Sequence, residues 1–174
     1  MTHGGEQRRG GPTLWGEAPP WREPDEATRR DVADVWRAVD GIMSGAGAAC
    51  RACGSCCDFG RWGHQLFATR HELDVLVGWA RDGRLVSSGA ALARLDRGWC
   101  PFWDDSGRCL AWVSRPIGCR AFFCGAAASS AAAEAFSVAD ETWRRMSKGG
   151  NELWWYGPAL DYLRRNVSCY STES

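Results

Sequence analysis

Val32, Val35, Trp36, Val39 and Met43 recur at three- and four-residue steps, with Arg29, Arg30, Asp34 and Arg37 falling between them. That spacing is the 3.6-residue period of an amphipathic helix and predicts one over about 26–43. Pro24 and Asp25 suit its start, and Gly41, Gly45 and Gly47 loosen its end. Thr69-Arg-His-Glu72 is a capping box, in which hydroxyl and carboxylate satisfy free N–H groups at a helix start. The helix it opens should cover about 70–82, bury Leu73, Leu76, Val77 and Ala80, and stop at Gly83. Three further helical pieces are expected. One lies within 84–97 and uses Leu92 and Leu95; one covers about 131–147 with Phe136, Val138, Trp143 and Met146, ending at Gly149-Gly150; one covers about 158–166 with Leu160 and Leu163. Strand signals are weaker. His64, Leu66 and Ala68 alternate with Gln65 and Phe67, and the turn chemistry of Asp104-Asp-Ser-Gly107 joins Pro101–Trp103 to Cys109–Val113 as a small hairpin or a helix start. No internal repeat is present.

Residues 1–24 are rich in Gly, Pro, Arg and Glu, with only Leu14, Trp15 and Trp21 as large apolar groups, so they read as a disordered tail. A domain over 25–166 and a loose tail over 167–174 complete the division. At 174 residues and 45% hydrophobic content, the chain has the size and composition of one globular domain, and no apolar run approaches a membrane span. The expected fold class is mainly α: several helices around irregular cysteine-rich loops, with room for one short β-hairpin. The start Met1-Thr-His-Gly-Gly-Glu-Gln-Arg-Arg-Gly lacks the apolar core of an export signal, which makes the cytoplasm the expected location. The 21 basic and 21 acidic side chains cancel, which disfavours nucleic acid or anionic lipid as partners. Locally the balance shifts: residues 50–124 hold ten Arg against seven Asp plus Glu. This surplus either offsets thiolate charge or reflects a chain that uses Arg in place of Lys, since Lys148 is its single lysine.

The chemistry-bearing pattern is cysteine. Eight of the nine lie in Cys50-Arg-Ala-Cys53-Gly-Ser-Cys56-Cys57, Cys100-Pro101, Cys109 and Cys119-Arg-Ala-Phe-Phe-Cys124. A short Gly-containing loop turns two thiolates toward one ion, so the pattern reads as a metal site. Adjacent Cys56 and Cys57 rarely serve one tetrahedral ion together, which implies two ions or one multinuclear cluster. A disulfide scaffold belongs to oxidising compartments, and inert buried thiols would be scattered over apolar faces. Cys169 stands outside every motif and reads as a spare thiol. A run of three cysteines plus a distant Cys-Pro is the ferredoxin arrangement, which would place Cys50, Cys53, Cys56 and Cys100 on one [4Fe–4S] cluster and leave Cys57, Cys109, Cys119 and Cys124 for a second centre. Two four-thiolate zinc sites account for the same residues. His64 is a candidate nitrogen ligand, although a lone histidine is more often a surface or core residue. Arg115 and Arg120 are candidates to donate to sulfur, or else to pair with Asp104 or Asp105. Phe59, Trp62, Trp99, Trp103, Trp112, Phe122 and Phe123 are available to wall the site or fill the core.

In this order, with Arg115-Pro116 before Cys119-Arg120 and Phe102 after Cys100-Pro101, the cysteines over about 30–125 resemble the YkgJ-like cysteine-cluster family, described as zinc- or iron-chelating. The resemblance implies a metal-chelating domain with Cys50, Cys53, Cys56, Cys57, Cys100, Cys109, Cys119 and Cys124 as ligand candidates and metal ions as partners. A flagellin lysine methylase is similar in its cysteine set, which implies an iron–sulfur cluster and methyl transfer as an alternative. The chain has no Gly-rich nucleotide loop and no C-x3-C-x2-C run. Two classes stay open: a structural or metal-handling module, and an iron–sulfur enzyme with an open coordination position.

Overall fold

The structure is a computed structural model that describes residues 16–48, 50, 52–83, 85–121, 128–148 and 154–172. The first helix, α1 (Glu26–Gly45), starts where the Asp25 carboxylate accepts from the Thr28 N–H at 2.7 Å. Its expected stripe of Val32, Val35, Trp36, Val39 and Met43 is buried throughout. Those side chains pack on α5 (Ile117–Ala121) and α6 (Ala128–Lys148). On α6 the buried face is Ala131, Ala135, Ala139 and Trp143, whereas Val138 points to solvent. Small residues at four-residue steps let α6 close on the bulkier α1, so alanine, not valine, marks the inner face.

The second apolar cluster surrounds α3 (Arg70–Asp82). Its capping box forms as the sequence predicts: Thr69 Oγ1 accepts from the Glu72 N–H, and the Thr69 N–H donates to the Glu72 carboxylate at 3.0 Å. The helix is buried on nearly every side, including Arg70, Glu72 and Asp74. Arg70 and Asp74 pair at 3.1 Å, and the Tyr162 hydroxyl donates to Asp74. Against α3 pack α7 (Ala159–Arg165) and α8 (Val167–Tyr170), α4 (Ser88–Asp96) adds to the same apolar cluster, and the short α2 (Phe59–Trp62) follows the first cysteine run. On α4 the buried residues are Ala91 and Leu95, and the expected Leu92 is exposed. Pairing is sparse. β1 (Phe67–Thr69) runs antiparallel to β3 (Tyr156–Pro158), with Ala68 opposite Gly157; β2 (Val86–Ser87) runs parallel to β4 (Ser171–Thr172), with Val86 opposite Ser171. The strand foreseen around 64–68 thus forms later along the chain, leaving His64 and Gln65 exposed. The foreseen hairpin reduces to a single bridge between Trp103 and Cys109, followed by a 3-10 turn at Trp112–Ser114. The result is a small, mainly helical domain, and among the described residues no helix is long and apolar enough to cross a membrane.

Both expected tails are corrected in part. Residues 16–24 lie along α3 and α7: the Trp21 indole donates to the Asp74 carbonyl at 3.0 Å, its backbone N–H donates to Asn166 Oδ1 at 2.7 Å, and Ala18 is buried. Polar anchoring substitutes for the apolar surface this stretch lacks. Residues 167–172 form α8 and β4, because Tyr170 is fully buried with its ring 5.3 Å from that of Phe102. Cys169 is therefore half-buried against the core and not in a loose end. The expectations for residues 1–15, Phe122, Phe123, Cys124 and Gly149-Gly150 lie outside the described residues. Asn166 also donates through Nδ2 to the Pro19 and Tyr162 carbonyls. Asn166→Ala should therefore cost about 1–3 kcal/mol and make 16–24 a site of rapid limited proteolysis. Unchanged cleavage kinetics would show that other contacts hold this segment.

Candidate metal centre

Local backbone features bring the cysteines together. After Cys50, Ala52 takes φ 50° and its N–H points at the Cys50 sulfur at 3.4 Å. Gly54 takes φ 72° and lies flat on the Trp103 ring, where a Cβ would come within 2.3 Å of the ring. Only glycine meets both demands. The chain then tightens into a 3-10 turn at Ser55–Cys57, closed by Cys57 N–H donating to the Gly54 carbonyl at 2.8 Å. Asp58 caps α2 by accepting from the Arg61 N–H at 3.0 Å and bridges to Trp99. Here two backbones cross. Gly60 N–H donates to the Gly98 carbonyl at 3.0 Å, and Cys100 N–H donates to the Cys57 carbonyl at 2.9 Å, which sets Cys57 beside Cys100.

A Cβ on Gly98 would lie 2.8 Å from the Gly60 Cα, at a φ of 74° that already disfavours side chains. Gly98→Ala should cost about 2–4 kcal/mol and lower metal content, because it pushes the first two cysteine loops apart. A variant with full metal content and unchanged melting would contradict this account of the crossing.

The other two walls come from the Trp103–Cys109 bridge and from α5. Ile117 N–H donates to Glu72 Oε1 at 2.7 Å, and Gly118 is tucked so closely under Leu66 that a Cβ would come within 2.5 Å of that side chain. Cys119 follows on the next residue. Cys50, Cys56, Cys57, Cys100, Cys109 and Cys119 thereby line one cavity of about 60 Å³. That is room for several water-sized atoms. Its other walls are largely apolar, among them Phe59, Leu73, Leu76, Phe102 and Trp103.

The thiols act on one another. Contact with Cys57 and then burial push Cys56 far above the ordinary thiol range. Contact with Cys100 raises Cys57, which Cys109 raises further. Burial raises Cys109 and Cys119, and Cys119 also feels Cys57, Cys109 and Cys56. Arg115 pulls the other way on both. With no ion, burial and neighbouring sulfur favour the neutral thiol at Cys56, Cys57, Cys109 and Cys119. A divalent cation at the centre reverses that balance, and soft sulfur is the donor set that zinc and iron accept. Among the described residues no three Cys, His, Asp or Glu side chains are already closed into a ligand shell.

Not every expected residue joins this group. Cys53 is exposed, with its sulfur 3.4 Å from Ser55 Oγ, and does not line the cavity; Cys124 lies outside the described residues. His64 is exposed and contacts the Cys56 carbonyl through Nε2 at 3.1 Å. Arg115 lines the cavity, stacks on Trp112 at 3.4 Å and donates to the Trp112 carbonyl. Arg120 instead has a structural role: it is buried, donates to the Val113 and Arg115 carbonyls and pairs with Asp40. Asp104 and Asp105 are paired with Arg108 and Arg94, not with either of the two expected arginines. Of the aromatic set, Phe59, Trp103 and Trp112 line the cavity, Trp112 from a position 43% exposed, whereas Trp62 is 60% exposed and does not line it.

Glu72 is the supporting residue that local sequence did not reveal. One carboxylate caps its own helix, α3, caps α5, and accepts from the Trp36 indole at 3.5 Å. The capping-box signature accounted for the first of these contacts only.

A family model, CxxCxxCC, described as a "putative zinc- or iron-chelating domain", matches residues 49–142. No curated protein and no solved structure matches the chain.

Proposed function

The chain belongs to the CxxCxxCC family of zinc- or iron-chelating domains, and from that premise we propose that its central cysteines hold zinc or iron in one shared polynuclear centre. The observation that carries this reading is the common cavity, whose walls bring together six thiols from separate segments of the chain. The ferredoxin-like grouping separates Cys57 from Cys56 and Cys100, yet these are the two thiols Cys57 contacts. A single centre fits that arrangement better than two distant ones. In this reading Cys50, Cys56, Cys57, Cys100, Cys109 and Cys119 are the inner ligands, and Cys53 and Cys124 are the remaining ligand candidates of the set. Bound metal would keep the thiols deprotonated, offset part of their charge and join chain segments that share little regular structure. Arg115 supplies the positive charge beside Cys109 and Cys119, and Trp112 fixes its orientation. The likeness to YkgJ-like proteins agrees with chelation without requiring a reaction.

The test is anaerobic purification followed by elemental analysis, sulfide determination and a visible spectrum. At least two metal ions per chain should be bound, and Cys57→Ser should remove most of them. Cys169→Ser should leave the metal in place, since Cys169 does not line the cavity and packs against the core near Tyr162. Equal loss in both variants, or protein that binds no transition metal after anaerobic reconstitution, would defeat the proposal. Sulfide with a reducible visible band would identify the centre as iron–sulfur, and colourless protein with zinc would identify it as zinc thiolate.

A further inference from the structure

A second cavity of about 630 Å³ adjoins the first, and Cys56 and Cys119 line both. Its remaining walls include the rings of Phe59, Phe67, Phe136 and Tyr156, with His64 and Gln65 at the polar edge. Through Phe67, Gly118, Phe136 and Tyr156 it continues into a further 350 Å³ that carries Glu72, Asp140, Trp143 and Trp154. This volume is in the range of small-molecule sites. None of the described residues lining either part is a lysine or an arginine. The carboxylates there are buried Glu72, whose oxygens are taken by Thr69, Ile117 and Trp36, and Asp140, which also pairs with Arg144 at 2.7 Å.

Aromatic rings present negative faces, no lysine or arginine among the described wall residues offsets them, and sulfur closes the inner end. Such a lining disfavours anions and attracts positive charge. We propose that this cavity is a binding site for a small organic cation, held against the sulfur side of the metal centre. It depends on the metal-binding proposal only for the charge of its inner wall; the aromatic rings are independent of it.

Three molecules of one shape separate charge from size: choline, its uncharged isostere 3,3-dimethylbutan-1-ol, and the anion 3,3-dimethylbutanoate. In calorimetric titrations of the metal-loaded protein, choline should bind on the order of ten-fold more tightly than the alcohol, and the anion should not bind. Tyr156→Leu and Phe136→Leu should each weaken choline by about five-fold or more, as loss of a cation–π partner implies, while melting temperature and metal content stay unchanged. Tyr156 is partly exposed in β3, so this variant keeps the test valid if Phe136→Leu is unstable. Equal affinity for choline and the alcohol, or no choline binding, overturns the inference. Elemental analysis of the same sample tells that failure apart from failure of the metal-binding proposal, which would show as absent metal.

Discussion

Stripping the metal from reduced protein with a strong chelator should abolish much of the near-ultraviolet circular dichroism and lower the melting temperature by roughly 8–16 °C. The size follows from linkage: a ligand at about a thousand times its Kd contributes about 4 kcal/mol, and for a chain of this length each kcal/mol moves the midpoint by about 2–4 °C. The loss should be local at first. Cys50–Cys57, the Gly98–Cys109 region and α5 meet around a cavity whose thiols act chiefly on one another. By contrast, the packing of α1 on α6 contains no cysteine among its described buried residues. Far-ultraviolet signal from those helices should therefore outlast the near-ultraviolet signal. The reporters are Trp103, which lies on Gly54, and Trp99, which is bridged to Asp58. Trp62 is already exposed, does not line the cavity and should change little. A chelated sample with unchanged near-ultraviolet spectrum and melting would mean that side-chain packing, and not metal, holds the loops.

How much of this was legible in the sequence varies by element. The α1 stripe and the Thr69–Glu72 box are local patterns, and both appear in the structure residue for residue. Residues 16–24 gave no such signal because what orders them is polar and distant: Trp21 meets Asp74 and Asn166, whose positions are 53 and 145 residues away along the chain. The charges of α3 misled in the same way. Arg70, Glu72 and Asp74 lie off the apolar stripe that the sequence marks, yet each is buried because partners from α5, α7 and the N-terminal segment satisfy it. The cysteine spacing identified the donor set. It left open the grouping of the ligands, since the position of Cys57 beside Cys100 depends on a backbone crossing at Gly60 and Gly98, two glycines far apart along the chain.

Among single substitutions away from the thiols, Glu72→Ala should be the most damaging, at about 4–6 kcal/mol. It removes the acceptor for the Thr69 N–H, the Ile117 N–H and the Trp36 indole, three buried donors that each cost about 1–3 kcal/mol when orphaned. Because α5 loses its cap, Cys119 should loosen with it, and metal affinity should fall together with stability. Burial pushes the Glu72 carboxyl up, against the pull of the Ile117 and Thr69 donors. A folded-state value above the unfolded one means that protons bind the folded form more tightly. Its stabilising contribution is then complete below the unfolded carboxyl range, near about pH 4.3, and declines as pH rises through the elevated value. Glu72→Gln, which cannot ionise, should therefore lose least relative to the wild type near neutral pH and most in acid. Melting curves of both proteins with metal in excess, taken from about pH 4.5 to about pH 8 to span that carboxyl range, would measure this difference. A gap between them that widens as pH rises would show that Glu72 is held as a carboxylate by the donors of Thr69, Ile117 and Trp36, and that burial is the weaker influence.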